Sequence, residues 1–406
     1  MAGPLAGIRV LDLSRVLAGP WASQMFADMG ADVVKIERPG EGDDTRKFGP
    51  PWIRDAATGE NVDAAYYASC NRGKRSVTLD ISTAEGQAIV GRLVDRSDVL
   101  VENYKVGALA KYGLDYASVA KRNPRIVYCS ITGFGQTGPY RNRPGYDFLI
   151  QGMGGLMSVT GERDELPGGG PQRAGVALAD ILTGMYASSG IVAALYRREK
   201  TGKGQFIDLA LLDSQVAALA NQGMNWLIGG QVPKRSGNGH PNIVPYQAFA
   251  TADGHMILAV GNDEQFARFC KAVGRDDIAA DPRYSIIAQR NAHRDELIPM
   301  LAAIVRARTT DDWVRTLEAV GVPCGPINTI DRVFADPQVV ARGMRVDLPH
   351  PRAGTLPSIA NPIGYSETPI EYTHAPPVLG QHTDEVLREL GSDESEIARL
   401  RKRGIV

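Results

Sequence analysis

Ile8-Arg-Val-Leu-Asp-Leu13, then Pro20-Trp-Ala-Ser-Gln-Met-Phe-Ala-Asp-Met-Gly30, then Val33-Val-Lys-Ile36 decide the fold class. The first run reads as a buried strand. Pro20 opens a helix with Trp21, Met25, Phe26 and Met29 on one face, Gly30 closes it, and residues 33–36 return as a second strand. Two strands joined through a helix run parallel, so this unit predicts a parallel sheet. Working outward, a helix is expected over 85–96, strands over 99–103 and 125–131, a helix from 180 to about 200 and a strand over 206–211. The expected fold is α/β, with a large Rossmann-like parallel-sheet domain.

A long apolar helix over 213–228 runs into residues 229–242, a stretch rich in Gly, Pro, Asn and charge that reads as a boundary. Residues 246–251 and 255–260, joined through Asp253-Gly254, read as a hairpin, and helical patterns fill 263–320. This predicts a smaller α+β domain. The expected division is 1–228, 229–325 and 326–406, the last part returning to the large domain through a connector, one helix over 332–342 and two over 384–403. Between Leu348 and Leu379 the Pro-rich sequence predicts extended chain without regular structure, which is usually functional or wraps something.

The charge is balanced, with 45 Lys plus Arg against 46 Asp plus Glu, so no nucleic-acid partner is announced. Cys70, Cys129, Cys270 and Cys324 lie far apart without C-x-x-C spacing or an adjacent histidine, and read as reduced thiols rather than a metal site. No basic segment leads into an apolar run at the start, and no stretch reaches eighteen uninterrupted apolar residues. The expectation is a soluble cytoplasmic enzyme with no metal, no membrane partner and no tightly bound cofactor.

Gly133-Phe-Gly-Gln-Thr-Gly138 satisfies the G-x-G-x-x-G string of a dinucleotide site, but Pro139, Pro144 and Gly145 interrupt the helix that fingerprint requires. It reads as a glycine-rich turn. Asp180 carries more chemistry. It stands in Arg173-Ala-Gly-Val-Ala-Leu-Ala-Asp180-Ile-Leu-Thr-Gly-Met-Tyr-Ala-Ser-Ser-Gly190, at the start of a helix rich in small residues. Spacing alone favours an N-cap, with a nucleophile as the other reading.

The blocks Arg15-Val-Leu-Ala-Gly-Pro20, Asn71-Arg-Gly-Lys-Arg-Ser76, Val101-Glu-Asn-Tyr104, Gly145-Tyr-Asp147, Lys200-Thr-Gly-Lys-Gly-Gln205 and Leu379-Gly-Gln-His-Thr383, together with the Asp180 segment and residues 30–46, resemble the family III coenzyme A transferases, the formyl-CoA and carnitine-CoA transferase group. The resemblance spans nearly the whole chain. It implies an interlocked homodimer threaded by extended connectors, acyl-CoA and a small carboxylic acid as substrates, and Asp180 as the nucleophile. It also implies CoA contacts at Arg15, Leu17, Ala18, Arg38, Asn71, Lys74, Asn103, Tyr104, Lys105, Lys111, Arg143 and Tyr146. Asp147, the acid of the tyrosine–acid pair, is expected to orient the acceptor, tune Asp180 by like-charge coupling, or bond backbone. A helix N-terminus is expected to hold Asp180 ionised.

Departures refine the resemblance. Leu17 stands where the formyl-CoA and oxalate enzymes carry a glutamine, and Ser236-Gly-Asn-Gly-His240 replaces a run of glycines. Residues 243–249 and 261–266 look closer to the transferases handling succinyl-CoA and branched dicarboxylates. His240, in a loop that would correspond to a mobile cover, is a candidate for the acceptor's distal carboxylate. Two alternatives are weighed: an α-methylacyl-CoA racemase, which would carry histidine at the position of Tyr146, and a CoA-binding protein without activity.

Overall fold

Six parallel strands carry the larger unit: β1 Arg9–Asp12, β2 Asp32–Glu37, β3 Arg75–Thr78, β4 Val99–Glu102, β5 Val127–Thr132 and β6 Gln205–Ala210. Their order across the sheet is β3-β2-β1-β4-β5-β6, with Val10 in register with both Val33 and Val99. The strand order reverses between β1 and β4. In such a doubly wound sheet the carboxyl ends of those two strands diverge and leave a crevice.

The computed structural model describes residues 3–406. Helices α1 Ala18–Asp28, α2 Ala84–Arg96, α3 Asp147–Met153 and α4 Leu178–Thr201 belong to the larger unit. Strand side chains alternate faces. Val10, Val33, Val99 and Val127 pack with Phe26, Ala187 and Ile191 beneath α1 and α4. Leu11, Val34 and Leu100 pack with Ile89 and Leu93 of α2, and with Val386, Leu387 and Leu400 of the C-terminal helices Thr383–Glu389 and Glu394–Lys402. Burial on both faces is why β1, β2 and β4 read as nearly continuous apolar runs.

The larger unit comprises residues up to 156, 174–223 and 338–406, and the smaller comprises 157–173 and 224–337. These boundaries differ from the expected 228/229 and 325/326, and residues 157–173 join the smaller unit. That unit is built on a three-stranded antiparallel sheet, Tyr246–Ala250, His255–Ala259 and Cys324–Pro326. Its core gathers Phe249, Met256, Phe266, Phe269, Leu297, Leu301, Trp313 and Leu317.

Four other expectations change. The helix expected over 213–228 is two, Leu211–Ala217 and Ala220–Gly229, separated where Ala220 takes φ +44°. The helix expected over 332–342 is also two, because Pro337 disfavours a helical residue before it. Within the supposedly structureless 348–379 lies most of a hairpin, Arg345–His350 paired with Gly354–Ile359. Strand β3 and a short hairpin, Trp52–Arg54 with Asn61–Ala64, were not foreseen. Residues 374–383 cover the outer edge of β3: Gly73 donates to the His374 carbonyl, and the Ser76 carbonyl and amide bond the amide and Nδ1 of His382. An edge strand is thereby shielded.

Lys74, expected to contact CoA, is fully buried. Its Nζ donates to Asp12 at 3.1 Å, to the Pro20 carbonyl at 2.9 Å and to Asn71 Oδ1 at 2.8 Å. Asn71 is equally buried, its amide donating to the Tyr67 carbonyl. Both side chains therefore serve the interior, and the CoA contacts expected at Lys74 and Asn71 are corrected to structural roles. Burial alone would raise the Asp12 carboxyl, but the Lys74 and Lys35 ammoniums with the Ser14 and Ser23 hydroxyls outweigh it and bring it down to about 2. Lys74→Met should therefore lower unfolding stability in urea by about 3–5 kcal/mol, the usual consequence of stripping one partner from a buried ion pair. Unchanged stability with a raised KM for acyl-CoA would restore Lys74 as a CoA contact.

Candidate active site

At the crevice, the segments following β1, β4 and β5 enclose a cavity of about 370 Å³ lined by residues 15–18, 103–106, 131–133 and 141–146, with Asp44, Asp180 and Leu211. The segment after β1 is tightly held. Lys35 Nζ, fully buried, donates to the Ser14 carbonyl at 2.7 Å and pairs with Asp43 at 3.0 Å. Asn103 accepts the Arg15 amide at 2.9 Å and donates to the Arg15 carbonyl at 2.7 Å. Between these clamps Val16 takes φ +70°, a strained conformation for a β-branched residue.

Asp180 reaches this cavity from α4. That helix lies close against α1 because position 184 has no side chain: a Cβ there would stand 2.7 Å from the Ala18 carbonyl oxygen. Asp180 is not the N-cap. The helix begins at Leu178 after Ala177, which makes no side-chain cap. Asp147, on α3, caps it from outside: its Oδ1 accepts the Ala179 amide at 2.8 Å and the Asp180 amide at 3.3 Å. Gln151, one turn along α3 and fully buried, donates to Asp147 Oδ2 at 2.7 Å. The first N–H groups of α4 are therefore spent on Asp147 and do not stabilise the Asp180 carboxylate. Burial, followed by the negative charge of Asp147, pushes the Asp180 carboxyl up to about 7. The expectation of a helix terminus holding Asp180 ionised is reversed, because a second carboxylate takes those donors.

Of the expected contact residues, Arg15, Leu17, Ala18, Asn103, Tyr104, Lys105, Arg143 and Tyr146 line the same cavity as Asp180. Arg15 also pairs with Asp44 at 3.1 Å, and the Arg143 guanidinium lies 4.5 Å from the centre of the Tyr140 ring. Arg38 is outside the cavity lining, exposed and paired with Glu41 at 2.9 Å. Lys111 is also outside it, with its Nζ 4.6 Å from the centre of the Tyr112 ring. His240 belongs to the smaller unit, where its Nδ1 accepts the Asn242 and Ile243 amides, both at 3.1 Å, and Arg294 donates to its carbonyl at 2.7 Å.

The glycine string 133–138 has its own structural account. A Cβ on Gly133 would stand 2.6 Å from Gly145 Cα, so the two backbones touch. The Gln136 amide donates to the Asp208 carboxylate rather than being left for a phosphate. Sequence reasoning missed Arg141, Asp44 and Gln151. Only the four-residue spacing of Asp147 and Gln151 on one helix could have flagged the last.

A Rossmann-type sheet with a half-buried carboxylate at its switch point, in a cavity that also holds cations, defines an enzyme that handles an anionic ligand through an acid side chain. Residues 5–383 match the family described as CoA-transferase family III, and the chain belongs to that family. It is 54% identical over 96% of its length to a succinate–glutarate CoA-transferase of Agrobacterium fabrum, covering 96% of that protein. It is 43% identical over 99% of its length to the succinyl-CoA:glutarate CoA-transferase of Mus musculus, covering 90% of it. Among solved structures, a CaiB/BaiF family protein from Brucella suis superposes with a TM-score of 0.85 at 48% identity, over 96% of this chain and all of that one.

With Asp180 as the nucleophile proposed below, the rate of CoA transfer should rise with pH through about 7 as Asp180 ionises. Asp147→Asn keeps an oxygen to cap α4 but removes the like charge, so the inflection in kcat should move toward acid pH. A pH–rate profile identical to that of the parent would show that the Asp147 charge does not act on Asp180.

Proposed function

We propose that the protein transfers coenzyme A from succinyl-CoA to a dicarboxylate of the size of glutarate, with Asp180 as the nucleophile. The observation that carries this reading is Asp180 itself, a desolvated carboxylate in a cavity with Arg15, Lys105, Arg141 and Arg143. The substrates are suggested by the names of the relatives above. The ionised Asp180 attacks the thioester carbonyl and expels CoA thiolate, leaving a mixed anhydride. CoA then attacks the aspartyl carbonyl, releasing succinate and forming an aspartyl-CoA thioester. The acceptor carboxylate displaces CoA from that thioester, and the thiolate attacks the acceptor's acyl carbon, regenerating Asp180 and a new thioester. One thioester replaces another, so the balance requires no ATP and no oxidant.

Acyl-CoA is the substrate, with no tightly bound cofactor invoked. Apolar Leu17, Ile131 and Leu211 in the cavity wall suit the carbon chain of a C4–C6 acid. The first turn of α1, whose Ala18 amide has no acceptor among the described residues, is the candidate for holding the oxyanion.

Asp180→Asn should abolish exchange while leaving the protein at least as stable at pH 8, because the ionised carboxylate is unfavourably buried there. The parent, trapped with hydroxylamine during turnover, should be marked on the peptide containing Asp180. Near-normal exchange by the variant would end the nucleophile assignment. With succinyl-CoA as donor, glutarate and related dicarboxylates should give higher kcat/KM than oxalate, formate, butyrate or carnitine. A monocarboxylate at the top of that ranking would overturn the acceptor class.

The reading also includes an interlocked homodimer acting in the cytoplasm. Helix α4 is long and apolar enough to cross a membrane by length and composition, but one side of it is committed to the sheet. Its other side exposes Met185, Tyr186, Val192 and Tyr196, a stripe suited to a second copy. The four unpaired cysteines suit a reducing compartment. Sedimentation at low micromolar concentration should show dimer only, and a stable, active monomer would exclude the interlocked arrangement.

A further inference from the structure

The segment after β2 carries a buried cation that this chemistry does not use. Arg46 sits in a single 3-10 turn, Asp44–Lys47, which Asp43 opens by accepting the Thr45 amide at 3.0 Å. Arg46 is 5 % exposed, and all five of its N–H donors are spent. Nε and Nη2 grip Glu37, the last residue of β2, at 2.8 and 2.7 Å. Nη1 donates to Asp63 at 2.8 Å and to the Pro377 carbonyl at 3.2 Å, and the remaining Nη2 proton goes to the Tyr67 hydroxyl at 2.6 Å. One guanidinium therefore gathers the end of β2, the short hairpin Trp52–Arg54 with Asn61–Ala64 and the covering residues 374–383.

From Glu37 the hydrogen bonds continue to the cavity. Glu37 Oε2 also accepts the Asp43 amide at 2.9 Å, Asp43 Oδ1 accepts the Val16 amide at 3.2 Å, and Asp44 pairs with Arg15 at 3.1 Å. Arg15, Val16 and Asp44 line the Asp180 cavity. The covering residues press on the same segment. A Cβ on Gly42 would stand 2.6 Å from Arg46 Cδ and 3.1 Å from Leu379 Cδ1, and the Gly380 amide donates to Ser76 Oγ, which itself donates to Glu37 Oε1. Burial alone would raise the Glu37 carboxyl, but Arg46, Lys35 and Ser76 outweigh it and hold it below the usual carboxylate range. Apolar packing often matches a buried ion cluster in stability, but it could not hold the Asp43 amide and the Pro377 carbonyl in one place.

We propose that Arg46 is a positioning residue for acyl-CoA: by fixing Glu37 against the Asp43 amide it sets the Arg15–Val16 wall of the cavity before the thioester arrives, and through the Pro377 carbonyl it makes that wall depend on residues 377–380. The proposal rests on the reading of this cavity as the acyl-CoA site. Arg46 does not line the cavity and reaches it only through Glu37 and Asp43. Lysine cannot replace it, because an ammonium has three donors and no planar fork with which to hold both Glu37 oxygens while reaching Pro377.

The test is a double-mutant cycle with Arg46→Lys and Glu37→Gln in the full-length enzyme, using succinyl-CoA and glutarate, with Asp63→Asn as the control. Arg46→Lys and Glu37→Gln should each raise KM for acyl-CoA by about tenfold, the scale of one lost charge-assisted hydrogen bond. The KM for glutarate and the kcat should stay within about twofold. The double variant should be no worse than the worse single one, because both break the same link. Asp63 meets Arg46 only at Nη1, away from the Glu37 link, so Asp63→Asn should leave all three constants within about twofold. Hydroxylamine trapping at saturating succinyl-CoA should still mark Asp180 in every variant. If the parent itself gives no Asp180 adduct, the reading of the cavity fails, independently of Arg46. An unchanged KM in Arg46→Lys, effects that multiply in the double variant, an equal rise in Asp63→Asn, or a fall in kcat at constant KM would each overturn the positioning role. Should Arg46→Lys fail to fold, Leu379→Ala, at a half-buried position, loosens the same segment from the covering side and should raise KM for acyl-CoA without moving kcat; an unchanged KM there is fatal.

Discussion

The buried ammonium groups of Lys35 and Lys74 constrain the rest of the larger unit. Neither can be left unpaired out of water, since an isolated buried charge is far more unfavourable than any packing it permits. Their partners are Asp43 and Asp12, together with the carbonyls of Ser14 and Pro20, which bracket the segment after β1. The chain between those carbonyls has little freedom, and Val16 is held at a positive φ within it. The wall facing Asp180 is thus set from below by desolvation.

The same logic, with the sign inverted, governs the acids. Asp12 is surrounded by cations and hydroxyls and lies well below the usual carboxylate range. Asp180 has burial and a like charge but no cation bonded to it among the described residues, and lies well above that range. Two aspartates in one unit are thereby given opposite work: one holds a fixed charge, the other is poised to change state. Asp147 links structure to chemistry, because the carboxylate that caps α4 is also the charge that disfavours ionisation two residues inside that helix.

Much of the larger unit was legible because its strands are buried on both faces and its helices carry one-face apolar spacing. Strand β3 was not, since Arg75, Ser76 and Thr78 surround a single apolar Val77, and it is a strand only because β2 on one side and residues 374–383 on the other satisfy its backbone. The break at Ala220 has no sequence signal either, lying in a run of residues that favour a helix. Around the site, the motif blocks located Asp180 and the segments that share its cavity. They misled for Lys74 and Asn71 because a basic or amide side chain in a short block around a glycine reads as a ligand contact whether it points outward or into the core. Asp147 as a cap was one of several open roles, and only the geometry of α3 against α4 could single it out.

The C-terminal helices complete the face of the sheet opposite α1 and α4, and Ile405 is 2 % exposed within that core. The consequence appears during synthesis. On the ribosome, β1 to β6 and α2 are made within the first 210 residues, yet the part of that face beside α2 stays open until residues 383–405 have been added. The smaller unit, whose three-stranded sheet and the helices of its core lie within residues 246–326, can close first. Translation therefore presents an early sheet with part of one apolar face uncovered for the time taken to make nearly half the chain. A chaperone that holds such surfaces would act on this protein chiefly in that interval.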